Sequence, residues 1–273
     1  MTFHILVVLY KRLPEDSESL QSLATCLRRE SASFTVWDNS PDAAPDASLD
    51  WLSTRFVSVE YRHTPENVSL SKIYNQIIRQ HVINSENRPE YLVLLDQDTI
   101  VESDYLNSAF RAGAENPDIN LLLPIVEGNG VIVSPANLYY GIGRRWIRVL
   151  TGRIRSHFRT AINSGMVIRA SYLLKQFDGY DERLRFYGTD NDFMQKYAAT
   201  NRELFVFDSR LRHDLASFSV EDVEAKLWRH RENVRALLLS NGRGIGKALI
   251  HLYAFVYSAR LAYRFRDRRF LSC

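Results

Sequence analysis

Two carboxylates end an apolar run near the middle of the chain. Residues 91–99 read YLVLLDQDT, so Asp96 and Asp98 follow directly on a segment typical of a buried strand. In an extended chain, residues i and i+2 point the same way, which brings two negative charges into one small volume. This crowding is costly unless a positive group lies beside it.

Three kinds of structure use aspartates at this spacing. Aspartate is common in the turns that follow strands. Paired carboxylates also catalyse hydrolysis, although such pairs usually come from different segments of the chain. A divalent cation, Mg²⁺ or Mn²⁺, held by oxygen ligands and shared with substrate phosphates, removes the repulsion directly. The position at the end of a strand favours the cation.

The composition is that of a globular protein. The chain has 273 residues, of which 45% are hydrophobic and 25% charged, enough for one large domain or a domain with an appendage. Cys26 and Cys273 cannot form a disulfide framework or a zinc site alone, so we expect a reducing cytoplasm. The N-terminus lacks the features of a signal peptide, and no apolar run reaches the length of a transmembrane helix.

Charge is distributed unevenly along the chain. From Lys226 to the end there are 11 Lys+Arg and 2 Asp+Glu, whereas the totals for the whole chain are 35 and 32. Residues 1–225 therefore carry 24 basic and 30 acidic residues, which makes an acidic body with a basic tail. This asymmetry indicates two separate roles for the two parts.

Hydrophobic periodicity predicts strands alternating with helices, and hence an α/β fold with a mainly parallel sheet and helices on both faces. The predicted strands are residues 3–9, 33–37, 55–60, 91–95, 121–126, 161–169 and 203–207, the last extending through 210–213. The predicted helices are residues 15–29, 67–80, 103–112, 171–176, 189–198 and 220–239, with a break at 241–242 and a last helix from about residue 244. The pattern of residues 127–160 predicts a hairpin followed by a short basic helix.

The polar residues that follow these strands should meet. Ligands bind at the carboxyl ends of strands in open α/β sheets. Tyr10 follows the first strand, Asp38 the second, and Asp96 and Asp98 the fourth. We therefore expect one crevice that contains all four residues.

The segment YLVLLDQDTIVESDYL resembles the metal-binding segment of the family 2 glycosyltransferases, especially their rhamnosyltransferase-like branch. Other segments resemble parts of that family in the same order along the chain. They are HILVVLYKR, TVWDNSPD, NVSLSKIYN, INSGMVIR, FDGYDERLRFYGTDNDF and LRHDLAS, and together they cover roughly residues 3–240.

The resemblance implies a GT-A fold, which is a Rossmann-like, mostly parallel sheet flanked by helices. Residues 1–240 would form the glycosyltransferase domain, with a nucleotide-binding half (1–126) and an acceptor half (127–240). Residues 241–273 would form a basic amphipathic helical extension. The implied cofactors are Mg²⁺ or Mn²⁺ and a nucleotide-sugar donor, either dTDP-rhamnose or a UDP-sugar.

The resemblance also implies roles for individual residues. Asp98 would bind the metal, Asp96 would face the metal or the ribose, and His213 would complete the metal site. Asp190 would be the general base, with Asp192 as the alternative. The residues implied to contact the donor are Tyr10, Asp38, Asn39, Lys72, Asn75, Asp96, Gln97 and Asp98.

The resulting function is metal-dependent, inverting transfer of a sugar, rhamnose by resemblance, to a glycan or lipid-linked acceptor in surface polysaccharide synthesis. A nucleotidyltransferase is one alternative, but residues 6–16 lack the glycines of its phosphate loop. A basic nucleic-acid-binding protein is another, but the acidic body and the absence of a nucleic-acid module argue against it. We predict no nucleic-acid partner and leave a homo-oligomer open.

The composition of the C-terminal tail, residues 241–273, predicts contact with a membrane surface. In a helix from Gly244 onward, Ile245, Leu249, Leu252, Phe255 and Val256 form one apolar face, with a polar stripe of Lys247, His251 and Ser258 opposite. Five arginines follow between residues 260 and 269. Such a helix can lie among lipid headgroups, which would place the protein on the inner face of a bacterial cytoplasmic membrane. Packing on the body or on a second subunit is the alternative.

Overall fold

The structure is a computed structural model that describes residues 2–139, 142–213, 222–240 and 245–272. The strands of the first half are β1 (Phe3–Leu9), β2 (Ala32–Asp38), β3 (Val59–His63), β4 (Tyr91–Asp96) and β5 (Thr99–Ile100). The helices of this half are α1 (Glu18–Leu23), α2 (Asp46–Arg55), α3 (Leu70–Ile77) and α4 (Tyr105–Glu115), and a wider turn continues α3 to Ile83.

The second half contains more strands than helices. Its strands are β6 (Leu121–Gly128), β7 (Val131–Ser134), β8 (Ala136–Tyr139), β9 (Ile142–Arg145), β10 (Gly152–Arg155), β11 (Arg159–Thr160), β12 (Val167–Arg169) and β13 (Glu203–His213). Its helices are α5 (Ala170–Lys175), α6 (Thr189–Thr200), α7 (Val223–Ser240) and α8 (Ile245–Phe265).

The main sheet has the order β10-β13-β6-β12-β4-β1-β2-β3. β1 is parallel to β2 and β4, and β2 is parallel to β3. β12 runs antiparallel between β4 and β6, and β13 is parallel to β6. All seven residues of β1 are buried, as expected where helices cover both faces of a parallel sheet. The predicted α/β architecture is confirmed.

The strand register aligns the polar strand ends. Leu9 lies opposite Asp38 in the β1–β2 pair, and Val8 lies opposite Asp96 in the β1–β4 pair. The carboxyl ends of β1, β2 and β4 therefore lie at one edge of the sheet. This edge forms the floor of the site described below.

The segment between residues 127 and 160 differs from its prediction. The predicted hairpin is present, since β7 pairs antiparallel with β6 and β9 with β8. The predicted short helix does not occur in the described residues, which form the strands β7 to β11 after the end of β6. In β10 the exposed Arg153 and Arg155 alternate with the partly buried Ile154, which packs on the core. The basic residues thus follow the two-residue period of a strand at the edge of the sheet.

Two other strands begin several residues after their predicted starts, at Val59 instead of 55 and at Val167 instead of 161. β3 begins at Val59 because α2 continues as far as Arg55. β12 covers only Val167–Arg169, since the chain before it bends at Gly165, where φ is +89°. A Cβ atom at Gly165 would lie 2.6 Å from a Leu211 methyl carbon and 2.8 Å from Pro124, so this position requires glycine.

The helices α7 and α8 pack against each other. Leu227 of α7 and Leu261 of α8 form a buried cluster with Phe270. His230 of α7 is hydrogen-bonded through Nε2 to the Ser258 hydroxyl at 2.8 Å. Ser258, which the sequence places in the polar stripe of this helix, is therefore buried, because this hydrogen bond holds it on the side of α8 that faces α7. Among the described helices, none is both long and apolar enough to cross a membrane.

A buried histidine makes the fold sensitive to acid. His4 of β1 is 2% exposed, is hydrogen-bonded to the hydroxyls of Ser33 and Thr35, and stacks on His81 with ring centroids 3.7 Å apart. Burial, with smaller effects of His81 and Arg62, lowers the pKa of His4 from 6.5 to about 3. Between these two values the unfolded chain binds a proton that the folded chain does not.

We predict that stability is fully present above pH 6.5 and falls as the pH is lowered, by up to about 1.4 kcal/mol per pH unit from His4 alone. His4→Gln should reduce the difference in unfolding free energy between pH 7.5 and pH 5 by about 2 kcal/mol. Urea unfolding at the two pH values measures this difference, and the exposed His251→Gln serves as the control. Equal pH dependence of His4→Gln and wild type would contradict the assignment.

Candidate active site

Three potential metal ligands meet at the carboxyl edge of the sheet. Asp96 ends β4, Asp98 lies in the turn that follows, and His213 ends β13. The short strand β5 pairs with β13, which brings His213 opposite Thr99. One ligand atom from each of Asp96, Asp98 and His213 lies within 4.8 Å of the others. His213 Nδ1 is 3.4 Å from Asp98 Oδ1, and Nε2 is 3.9 Å from Asp96 Oδ2.

A chain of hydroxyl groups orients this cluster. His213 Nδ1 lies 2.7 Å from the Thr99 hydroxyl, which is itself 2.7 Å from the Ser164 hydroxyl. The backbone N–H of Asp96 donates to Ser164 Oγ at 2.9 Å. The Thr99 hydroxyl holds the ring through Nδ1, which also faces Asp98, while Nε2 faces Asp96. A hydrogen-bond partner that fixes the orientation of the ring is typical of metal-binding histidines.

Residues of α1 hold the turn between the two aspartates. The Ser19 hydroxyl donates to the backbone carbonyls of Asp96 and Thr99 and accepts the Thr99 N–H at 3.1 Å. Ser17 donates to the carbonyl of Gln97 at 2.9 Å. The sequence did not predict that these serines support the aspartate turn, because nothing in their spacing distinguishes them from ordinary helix-capping residues.

The environment of the two aspartates disfavours their ionised forms. Enclosure by protein raises the pKa of Asp96, although 38% of its side chain remains exposed. Interaction with His213 opposes this rise in the pKa of Asp96, whereas the carboxylates of Asp98 and Asp190 add to it. Burial likewise raises the pKa of Asp98, and His213 again opposes the shift. A bound cation would offset these costs, so the chemistry of the donors fits a divalent metal ion.

The ends of β1 and β2 carry the predicted donor contacts. Gln97 accepts the backbone N–H of Tyr10 through Oε1 at 2.7 Å, which ties the end of β1 to the aspartate turn. Asp38 is buried, and its carboxylate accepts the Tyr61 hydroxyl at 2.6 Å and the Ser40 N–H at 3.0 Å. Asp38 and Ser40 line a recess of about 500 Å³, whereas Tyr10, Asp96 and Asp98 line a separate one of about 620 Å³, called the main crevice below. The expectation that one crevice contains all four residues is therefore wrong for Asp38.

Asn39 organises the loop that leads into α3. Its amide oxygen accepts the Thr64 hydroxyl and the Val68 N–H, both at 2.9 Å, and its NH₂ group donates to Asn67 and to the Val68 carbonyl. The Asn39 side chain nevertheless lines the main crevice together with Asn67. It can therefore contribute to the crevice only from a fixed orientation.

Lys72 and Asn75 lie away from the crevice. Lys72 is exposed on α3 and lines a separate recess with Arg183 and Arg185. Asn75 forms hydrogen bonds with the backbone N–H and carbonyl of Tyr180, at 2.7 and 2.9 Å, and thereby holds the loop before α6. Their predicted contacts with the donor stay predictions, and the structure assigns Asn75 a positioning contact in addition.

The two candidate bases have different surroundings. Asp192 is engaged, because its carboxylate accepts the N–H of Asp181 at 3.0 Å and forms an ion pair with Lys196 at 3.2 Å. Asp190 Oδ1 accepts the backbone N–H of Asn191 at 2.8 Å, and none of the described side chains pairs with its carboxylate. Burial raises the pKa of Asp190, and its charge in turn contributes to the raised pKa of Asp96.

A crevice of about 620 Å³ contains the cluster. Its lining includes Tyr10 and the two aspartates as well as three aromatic residues of the second half of the chain, Phe186, Tyr187 and Trp228. The Trp228 ring lies 6.0 Å from that of Phe186 and 6.3 Å from that of Tyr187. The sequence did not predict Trp228 as part of the site, because it lies on a helix far along the chain and shows no distinguishing motif.

Comparison with known proteins gives structural neighbours only. No family model matches the chain, and neither does any curated protein. The solved structure of S. aureus TarS 1–349 is 14% identical and has a TM-score of 0.56, covering 97% of this chain and 72% of that chain. The same TarS fragment in complex with UDP-GlcNAc is 16% identical, with a TM-score of 0.54 and coverage of 97% and 73%.

A second neighbour is GalNAc-T7, solved with UDP, GalNAc and Mn²⁺. It is 12% identical with a TM-score of 0.59, and the match covers 85% of this chain but 48% of that chain. TarS and GalNAc-T7 are GT-A-type glycosyltransferases. Their likeness to the mixed sheet described above shows that this chain has the GT-A glycosyltransferase fold.

Proposed function

We propose that this protein is a metal-dependent inverting glycosyltransferase that uses a nucleotide-diphosphate sugar. The observation that carries the proposal is the cluster of Asp96, Asp98 and His213 in the crevice at the carboxyl edge of a GT-A sheet. The resemblance in sequence favours rhamnose from dTDP-rhamnose, whereas the TarS complex with UDP-GlcNAc keeps a UDP-sugar as the alternative.

Asp96, Asp98 and His213 would hold Mg²⁺ or Mn²⁺. Two carboxylates and one imidazole suit such a cation, and the neighbour GalNAc-T7 was solved with Mn²⁺. A bound cation neutralises charge that develops on a leaving diphosphate. The contacts of Asp38, Asn39 and Tyr10 at the adjoining strand ends support a nucleoside position there.

Asp190 would act as general base. In inverting transfer, an acceptor hydroxyl oxygen forms a bond to C1 of the sugar while the bond from C1 to the diphosphate oxygen breaks and its electron pair leaves with the diphosphate. The hydroxyl proton passes to a carboxylate. Asp190 is suited to this role because its carboxylate lacks a cationic partner among the described residues, whereas Asp192 is paired with Lys196.

Replacing one ligand of the metal cluster tests the proposed metal site. Asp98→Asn replaces an anionic oxygen ligand with a neutral amide, so Mn²⁺ affinity should fall at least about tenfold and sugar transfer should be lost. Calorimetric titration with Mn²⁺ measures the affinity, and circular dichroism reports the fold. Asp50→Asn, an exposed change on α2, should leave Mn²⁺ binding unchanged. Full activity of wild type in excess EDTA would contradict the metal assignment.

The second prediction separates the two acids of α6. Asp190→Asn should lower kcat by about 10²–10⁴-fold with little change in donor affinity, because a base acts in the chemical step. Asp192→Asn should instead lower the melting temperature, because it weakens the ion pair with Lys196 and the contact with Asp181. Steady-state kinetics and thermal unfolding distinguish these outcomes. A silent Asp190→Asn beside a catalytically inactive but stable Asp192→Asn would reverse the assignment.

We propose further that the acceptor is lipid-linked and that α8 contacts the membrane surface. The helix packs on the protein through Ile250, Ala254 and Leu261, which are all buried. The opposite face is also apolar, and its members Leu249, Leu252, Phe255, Val256 and Tyr263 are 45–89% exposed. A helix that is apolar on both faces needs a second apolar environment for its outer face.

The arginines near the end of α8 favour an anionic lipid surface as that environment. Arg260, Arg264, Arg266 and Arg268 are exposed on and after α8, whereas Arg269 pairs with Glu224 and Asp267. Each arginine near an anionic bilayer contributes about 1 kcal/mol of attraction. The combination of exposed apolar side chains and exposed guanidinium groups supports a position among lipid headgroups.

The third prediction tests the outer face of α8. The wild-type protein should sediment with vesicles containing phosphatidylglycerol and should be released by salt, because screening weakens the attraction. Leu252→Glu with Val256→Glu should abolish sedimentation, while Val57→Glu, which changes an 82% exposed residue before β3, should not. Wild-type protein that ignores the vesicles but dimerises through this face in analytical ultracentrifugation would assign the face to a second copy instead.

A further inference from the structure

We infer that a recess between α6, α7 and α8 binds a neutral sugar ring of the acceptor, an inference that rests on the proposed glycosyl transfer. The recess has a volume of about 290 Å³. Gly188 and Asn191 line it from the start of α6, His230 and Asn233 from α7, and Tyr253 and Tyr257 from α8.

Aromatic rings form one wall of the recess. The rings of Tyr253 and Tyr257 are parallel within 2°, with centroids 6.1 Å apart. The His230 ring lies 5.5 Å from that of Tyr257. Both tyrosines are more than one-third exposed, so a ligand can reach them from solvent. Flat rings of this kind pack against the C–H face of a pyranose, whose body is apolar and whose edge is polar.

Polar groups around these rings have unused hydrogen-bonding capacity. His230 is 3% exposed, and its Nδ1 has no partner among the described residues, although Nε2 is bonded to Ser258. A buried nitrogen without a partner costs about 1–3 kcal/mol. A ligand hydroxyl at this wall would supply the missing partner.

Two asparagines complete the polar edge. The Asn233 NH₂ group donates to the Arg229 carbonyl at 2.9 Å, which leaves its amide oxygen to accept a hydroxyl. The Asn191 amide oxygen accepts the Thr160 hydroxyl at 2.6 Å, which leaves its NH₂ group to donate. Donor and acceptor groups of this kind match the hydroxyls of a sugar.

The described lining of the recess indicates the class of ligand. Ten described residues line it, and none of them carries a carboxylate, guanidinium or ammonium group. These residues therefore offer no counter-charge to a phosphate. The recess suits a neutral monosaccharide unit rather than the diphosphate of a lipid carrier.

The location of the recess connects it to the proposed chemistry. Asn233 also lines the main crevice, which contains Asp96, Asp98 and His213. Asn191 also lines, together with Asp190, a recess of about 270 Å³ beside β8 and β9. A sugar held between α7 and α8 would therefore lie next to the crevice that contains Asp96, Asp98 and His213 and next to the start of α6, which carries the proposed base, as an acceptor must.

Saturation-transfer NMR with about 10 mM methyl glycosides of rhamnose, galactose and N-acetylglucosamine tests the inference. Wild-type protein should saturate at least one glycoside, and Tyr257→Ala should weaken that binding about tenfold or more, whereas Tyr257→Phe, which keeps the ring, should retain it. Tyr263→Ala, on the 89% exposed outer face of α8, is the matched control and should bind like wild type.

Titration with UDP-GlcNAc or dTDP-rhamnose in the presence of Mn²⁺ separates this inference from the proposed function. Donor binding that persists in Tyr257→Ala while glycoside binding is lost supports the recess as an acceptor subsite. Donor binding without glycoside binding in wild type overturns the inference alone. Glycoside binding through Tyr257 without any donor binding overturns the transferase function and, with it, the role as acceptor subsite. Equal glycoside binding in wild type and Tyr257→Ala also overturns the inference.

Discussion

The repulsion between Asp96 and Asp98 is the constraint on which the site depends. These side chains lie next to each other at the end of the buried strand β4. His213 approaches them from β13, which β6 and β12 separate from β4 in the sheet. Neighbouring hydroxyls, rather than cationic residues, hold the geometry. The two aspartates therefore stay close together although burial disfavours their ionised forms, and a bound cation would offset that cost.

The topology explains how distant parts of the chain reach this point. Parallel pairing of β1, β2 and β4 collects three strand ends at one edge, and the short antiparallel contact of β5 with β13 adds the fourth element. The bulge between Val206 and Arg210 lets β13 follow β6 and then continue to His213. Backbone pairing thus brings together ligands that are 117 residues apart in the chain, and the neighbouring hydroxyls then orient them.

Sequence patterns predicted the parts of the molecule that follow from local periodicity. The buried β1, the aspartate turn after β4 and the helix that starts at Thr189 all appear where apolar spacing and turn residues place them. The pattern failed for the short basic helix predicted within residues 127–160, because arginines that alternate with apolar residues suit an edge strand as well as a helix. Ser164 and Trp228 could not be predicted, since their roles arise only when distant segments pack together.

Gly165 shows how narrow the tolerance of such an arrangement is. Its N–H donates to the Leu94 carbonyl at 2.7 Å and its carbonyl accepts the Tyr105 hydroxyl at 2.9 Å, so the backbone cannot retreat from Leu211 and Pro124. Any side chain here would push against two strands at once and would displace the adjoining serine that supports Asp96. Gly165 belongs to neither the metal cluster nor the crevice. Replacing it would nevertheless disturb the positions of the proposed metal ligands, so only glycine is compatible with their geometry.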